Sequence, residues 1–198
     1  AVGYNYRIGT TEVTVGQYTA FLNAVAATDT YELYDSQMAI SWVIAGIAQS
    51  GSSGSYTYSV IGSANKPVTF VSWLDAARFA NWLHNGQPSG AQDLSTTEDG
   101  AYYLNGAVTS TARLAVNREA DWKWAITSED EWYKAAYHKN DGVTGNYWTY
   151  ATRSDTRPGF VNDNDRLMSG WRMDPDTWDG QGNKLMWERD HVVGREDR

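Results

Sequence analysis

The chain has no cysteine among its 198 residues, and that absence closes several routes at once. It can form no disulfide, hold no metal through a thiolate and use no cysteine nucleophile. Such a composition fits an exported bacterial protein as well as a cytosolic one. Positive charge is also scarce, with 16 Lys and Arg against 24 Asp and Glu and a formal net charge of −8. A nucleic-acid backbone would be repelled, and no basic stripe offsets the repulsion, so nucleic acid is excluded as a partner. No apolar run approaches the ~20 residues of a membrane-spanning helix. There are 3 histidines, without His-x-x-x-His or His-Glu-x-x-His spacing, so a zinc hydrolase lacks its ligands. The start, Ala1-Val2-Gly3-Tyr4, has neither an initiator Met nor a signal-peptide pattern, which suggests a processed or trimmed N-terminus.

What the chain does have is amphipathic aromatic surface: 10 Trp and 13 Tyr against 4 Phe. Such rings pack on one side and hydrogen-bond on the other, which suits a loop-rich fold with short strands or a ligand-displaying surface. With 41% hydrophobic and 20% charged residues the chain is globular, and its length allows one domain with a sizeable core.

Helix signals stand out. Thr14 and Gln17 form a Ser/Thr-x-x-Gln/Glu cap, and Tyr18, Phe21, Leu22 and Val25 fall on one face, which predicts a helix from about Val15 to Ala26. Ser72 with Asp75 caps a second helix from Trp73 to about Leu83, with Trp73, Ala76, Ala80 and Leu83 as its inward stripe. Ser128 and Glu131 form a capping box for a third, from Glu129 to about Tyr137, with acids in the first turn where the helix dipole favours them. Residues 4–8 alternate like a strand, as do Tyr56, Tyr58 and Val60 after the flexible turn Gly51-Ser52-Ser53-Gly54-Ser55. Between them, the segment from Thr28 to Gln49, in which Met38 to Ala48 is apolar but contains Gly46 and has no clean period, reads as irregular or short helix. Asn105-Gly106, between Tyr102-Tyr103-Leu104 and Ala107-Val108, reads as a hairpin turn. Trp148 and Tyr150 alternate as in a strand, and no internal repeat is found.

Three segments, in order and at matching spacing, carry a resemblance. Glu12-Val13-Thr14 with Tyr18 and Phe21, Lys66-Pro67-Val68 with Val71-Ser72-Trp73-Leu74-Asp75-Ala76 and Trp82, and Ser128-Glu129-Asp130-Glu131-Trp132 with Ala135-Ala136 resemble the formylglycine-generating enzyme or sulfatase-modifying factor domain. Trp178-Asp179-Gly180-Gln181-Gly182-Asn183 with Trp187-Glu188 is similar to a loosened form of that family's aromatic-Asp-x-x-Gly-Asn-x-Trp-Glu-Trp motif. The resemblance implies an α+β, C-type-lectin-like fold of the sulfatase-modifying factor variant, with two or three helices packed on short antiparallel strands and long loops. It implies one domain over residues 1–198, of which 160–198 is divergent and reads as truncated. The family's Arg-Leu-Pro-Thr is replaced by Ala125-Ile126-Thr127-Ser128, and its Arg-Gly-Gly-Ser-Trp segment and closing Gly-Phe-Arg strand do not occur before Arg198.

The same resemblance frames the chemistry. Oxidase members of the family bind copper through two cysteines, and soft thiolates are what Cu(I) requires; copper and formylglycine generation are therefore not expected of these residues. The family's aromatic-Asp loop binds calcium, and Asp179, Gly182 and Glu188 occupy comparable places, with Asp174 and Asp176 nearby. A mixed oxygen set suits that hard ion. Asn162-Asp163-Asn164-Asp165 is a second such candidate beside its plainer reading as an exposed turn. The three histidines read blandly: His84 and His138 as helix-end groups satisfying free carbonyls, His191 as solvated. Ser72 and Ser128 read as caps rather than nucleophiles. Trp73, Trp82 and Trp132 are expected in the core, while Trp171 and Trp178 sit in polar surroundings that could face a sugar or a protein.

The leading expectation is a noncatalytic, extracellular or cell-surface binding or structural module, with a protein or glycan ligand. Its rivals are an oxidoreductase of the formylglycine-generating type whose copper-binding segment is absent here, and a self-associating surface or filament subunit whose missing closing strand exposes a sheet edge.

Overall fold

In the computed structural model, residues 2–41, 44–157 and the backbone of Val192–Arg195 are described. The elements run β1 (Tyr6–Ile8), α1 (Val15–Val25), α2 (Gln37–Ile40), β2 (Ile47–Ser50), β3 (Thr57–Val60), α3 (Trp73–His84), α4 (Ser110–Ala115), β4 (Trp124–Ile126), α5 (Glu129–Tyr137) and β5 (Val192–Arg195). The strands pair antiparallel and the helices fall between them in sequence, a mixed architecture of the α+β class.

All three capped helices begin where their boxes are written. Gln17 N–H donates to Thr14 Oγ1 at 3.2 Å while Thr14 N–H donates to Gln17 Oε1 at 2.9 Å. Ser72 with Asp75 and Ser128 with Glu131 repeat the reciprocal pair. The first two motif segments also lie side by side: Val15 N–H donates to Lys66 O at 2.8 Å and Val68 N–H to Val13 O at 3.0 Å.

By contacts the chain forms two compact units, Tyr4–Thr127 with Arg189–Arg198, and Ala1–Gly3 with Ser128–Glu188. The larger holds two core clusters. In one, Tyr18, Phe21, Leu22 and Val25 of α1 meet Phe79 and Trp82 of α3, together with Leu33, Met38, Ile47 and Tyr58. The rings of Phe21 and Phe79 meet edge to face at 5.3 Å, a favoured aromatic geometry. In the other, Leu74, Ala76, Ala77 and Ala80 of α3 meet Tyr102, Leu104, Trp122, Ala125 and Ile126.

The helix α3 therefore lies between two cores, and every residue from Leu74 to Trp82 is buried. This corrects the single inward stripe expected from the sequence: Trp73 and Leu83 are only partly buried. Trp132 in α5 is likewise only partly buried, so of the three tryptophans expected in the core Trp82 alone is fully buried.

The segment expected to be irregular or short helix contains the short helix α2 and, unforeseen from the sequence, the strand β2. After the short α2, Gly46 lets the chain pass close to α1, since a Cβ there would lie 2.7 Å from Val15 Cγ2. β2 then pairs with β3 from Ile47↔Val60 to Ser50↔Thr57, with residues 51–56 as the connecting loop. Of β3 only Tyr58 is buried. Asn105 and Gly106 do adopt the two positive φ values of a type I′ turn, 43° and 85°. Ala107 N–H closes the turn on Leu104 O at 3.0 Å, but no strand ladder flanks it.

In the smaller unit, Trp148 and Tyr150 do not form the expected strand. Among the described residues the pairing there consists of the bridges His138↔Tyr147 and Tyr150↔Ser154. Tyr133 stacks on Tyr137 with ring centroids 4.8 Å apart, and Lys139 pairs with Asp155 at 3.1 Å.

The remaining sheet has the order β1-β5-β4, with Arg7↔Gly194 and Trp124↔Gly194 in register. A C-terminal strand therefore does close this sheet, contrary to the expectation of a missing one. The Val192-Val193 pair supplies the β-branched residues that a strand favours.

Candidate functional site

The C-terminal end of α3 organises a loop around itself through two asparagines. Asn81 Nδ2 donates to Thr97 O at 2.8 Å and to Tyr102 O at 2.7 Å, and Tyr102 N–H donates back to Asn81 Oδ1 at 2.8 Å. One side chain thus takes the place of a strand partner. One turn later, Asn85 Nδ2 donates to Thr96 O at 3.1 Å and Asp99 O at 2.9 Å. Gly100 fits between them because its φ of 146° favours glycine and a Cβ would crowd Asn81 at 3.2 Å.

Beneath the loop, Arg78 and Glu98 form a buried bidentate pair, Nε to Oε1 at 2.6 Å and Nη2 to Oε2 at 3.1 Å. Glu98 also accepts from Gly106 N–H at 2.8 Å, and Arg78 donates to Ala107 O at 2.9 Å. Tyr31 presents its ring to the guanidinium at 4.1 Å. With its partners satisfied inside the fold, this pair is a clamp on the 98–107 loop.

The result is an open pocket of about 470 Å³ bounded by His84, Asn85, Leu94, Asp99, Gly100, Tyr103, Glu119 and Asp121. Leu94 and Tyr103 are each 51% exposed at its rim, and the pocket surface is mainly polar. Asp99 accepts from Gly100 N–H at 2.8 Å, and no ion pair engages Asp99, Glu119 or Asp121 among the described residues. Three acidic residues therefore line one concavity and make its surroundings negative.

His84 sets the remaining polarity. Its Nδ1 accepts from Lys123 N–H at 3.2 Å, which leaves the proton of the neutral ring on Nε2 as a donor. Burial, reinforced by the Lys123 charge, holds the imidazole below its ordinary 6.5, against the opposing pull of Asp121 and Asp99. This corrects the expected role at the helix end: His84 accepts from the backbone instead of satisfying carbonyls. His138 behaves in the same way, its Nδ1 accepting from Asn140 N–H at 2.9 Å. The requirement of each neighbouring segment for an acceptor decides the outcome.

The pocket residues include no Ser, Thr, Lys or Cys that could act as a nucleophile beside His84. No group of three or more His, Cys, Asp or Glu that could hold a metal occurs among the described residues. Ser72 and Ser128 are caps, as expected. Asp179, Gly182 and Glu188, the calcium candidates, lie outside the described residues, as do Asn162 to Asp165, Trp171, Asp174, Asp176, Trp178 and His191. Reading the sequence did not single out Asp99, Tyr103, Glu119 or Asp121, which are scattered through polar loops. Gly100 and the paired asparagines of α3 were the available signal.

A family model described as a sulfatase-modifying factor enzyme 1-like domain matches residues 2–181. No curated protein and no solved structure matches the chain.

Proposed function

Because the chain belongs to the sulfatase-modifying factor enzyme 1-like family, we propose that it uses this scaffold, in its C-type-lectin-like form, as a noncatalytic binding module. The ligand we assign is a protein that presents a basic side chain. The observation that carries this reading is the open, mainly polar pocket at the end of α3, lined by Asp99, Glu119 and Asp121, which no ion pair engages among the described residues. The charged head of a lysine or arginine is drawn to such a concavity by its acidic lining. A chain with no thiol offers no copper-thiolate centre of the oxidase kind. An extracellular or cell-surface location belongs to the same proposal, and the thiol-free composition is compatible with it. Calcium at Asp179, Gly182 and Glu188 has its support in the resemblance of that segment to the family's loop.

The test has two readings on the purified chain. With copper and a cysteinyl peptide, an oxygen electrode is expected to register no uptake above the protein-free control; turnover would overturn the noncatalytic reading. Titration with N-acetyl-lysine methylamide is expected to shift the amides of His84, Tyr103 and Asp121 with roughly millimolar affinity, as for one small ligand on an open site. N-acetyl-glutamate methylamide producing the same shifts would refute the choice of a basic ligand.

A further inference from the structure

The hydrogen bond between His84 and Lys123 spans 39 residues of sequence and joins the end of α3 to the segment carrying Glu119 and Asp121. Its direction matters. The imidazole is the acceptor and the backbone N–H is the donor, so the bond exists only while Nδ1 carries a lone pair. A proton taken up from solvent occupies that lone pair, and two N–H groups then face each other across the contact.

We propose that His84 is a proton-operated latch at the pocket wall, holding the Lys123 N–H at the end of the 119–123 segment while neutral and releasing it when protonated. The groups around the ring make both states available. From the loop after α3 come Asp99 and Tyr103, from the opposite wall Glu119, Asp121 and Lys123, and beside the ring lies the uncharged Asn85. The neutral ring is favoured by partial burial and by the Lys123 charge. The imidazolium is offered new partners by Asp99 and Asp121, and turning toward them takes the ring away from Lys123 N–H. Since the folded ring holds its proton less tightly than an unfolded one, the latch is fully closed above pH 6.5 and is lost as pH falls through the lowered folded value.

The latch regulates the proposed binding site, and this second part rests on the binding reading above. An imidazolium adds positive charge to the pocket and competes with a basic side chain for the same carboxylates. Cationic ligand is therefore held at neutral pH and let go on acidification, the direction expected of a release switch in an acidic compartment.

The experiment separates the two parts. On the chain alone, the hydrogen-exchange protection factor of the Lys123 amide, corrected for the intrinsic pH dependence, is expected to fall about tenfold between pH 7.5 and pH 5, as for loss of one hydrogen bond. The Tyr102 amide, held by Asn81, should stay unchanged. The imidazole shifts of His84 should follow the same midpoint, below 6.5. His84→Gln is expected to abolish the pH dependence, and His84→Ala to leave Lys123 poorly protected at both pH values. A ring that titrates while Lys123 protection stays constant would overturn the latch, and this wild-type measurement holds even if a variant fails to fold. For the regulatory part, N-acetyl-lysine methylamide should bind the wild type several-fold more weakly at pH 5 than at pH 7.5. Equal affinity at both would overturn regulation, whereas a working latch with no binding at either pH would refute the binding reading and leave the latch standing.

Discussion

Asp75 serves two ends that oppose each other. Its carboxylate completes the cap of α3 by accepting from Ser72 N–H at 2.8 Å, yet it is buried to 8% exposure. Burial pushes its pKa from 3.8 up to about 6, and the Ser72 hydrogen bonds and the Arg78 charge recover only part of that rise. A folded-state value above the unfolded one means that the group favours folding below pH 3.8 and loses that contribution as pH rises toward 6 and beyond. The shift corresponds to about 3 kcal/mol. Asp75→Asn keeps an oxygen for the Ser72 N–H and removes the charge. In urea denaturation the variant is expected to gain about 2–3 kcal/mol on the wild type between pH 3.5 and pH 7.5. A wild-type and variant difference that does not change with pH would show that the burial cost is absorbed elsewhere.

At the scale of elements, the helix starts were legible in the sequence because a capping box is local: Thr14 with Gln17, Ser72 with Asp75 and Ser128 with Glu131 settle each start within four residues. The faces of α3 were not, because burial of Arg78 and Asn81 depends on a loop up to 29 residues further along the chain. A polar residue in the middle of an amphipathic helix reads as solvent-facing until its partner is known. The pocket escaped notice for the same reason, since Asp99, Glu119 and Asp121 acquire meaning only once Asn81 and Asn85 have folded the loop back. Arg78 and Glu98 test this non-local stitching. Glu98→Ala strands a buried guanidinium and is expected to cost about 3–5 kcal/mol. The double variant Arg78→Met with Glu98→Leu should lose at least about 2 kcal/mol less than the two single losses added together. Additive losses in thermal or chemical denaturation would mean that the two side chains act separately on the 98–107 loop.

Across the larger unit as a whole, β5 joins parts of the chain that are otherwise far apart in sequence. It lies between β1, near the N-terminus, and β4, more than a hundred residues later, and among the described residues neither outer strand has another partner in this sheet. Self-association through a gap left by a missing closing strand loses its structural premise, because that gap is filled. The outer strands are also only three residues long, too short to template another chain effectively. The arrangement makes one strand responsible for two distant segments. Val193→Pro removes a donor from a central strand and cannot be accommodated there without breaking the ladder. Amide exchange is expected to quicken together in Tyr6–Ile8 and Trp124–Ile126, by about tenfold or more, while the β2–β3 hairpin keeps its protection because its pairing is independent of this sheet. Val193→Thr, which retains the donor and the β-branched shape, should leave all four strands protected. Quickening in one outer strand alone would show that β1 and β4 are held by their own surroundings rather than by β5. Simultaneous quickening would show that the C-terminal strand holds the two together.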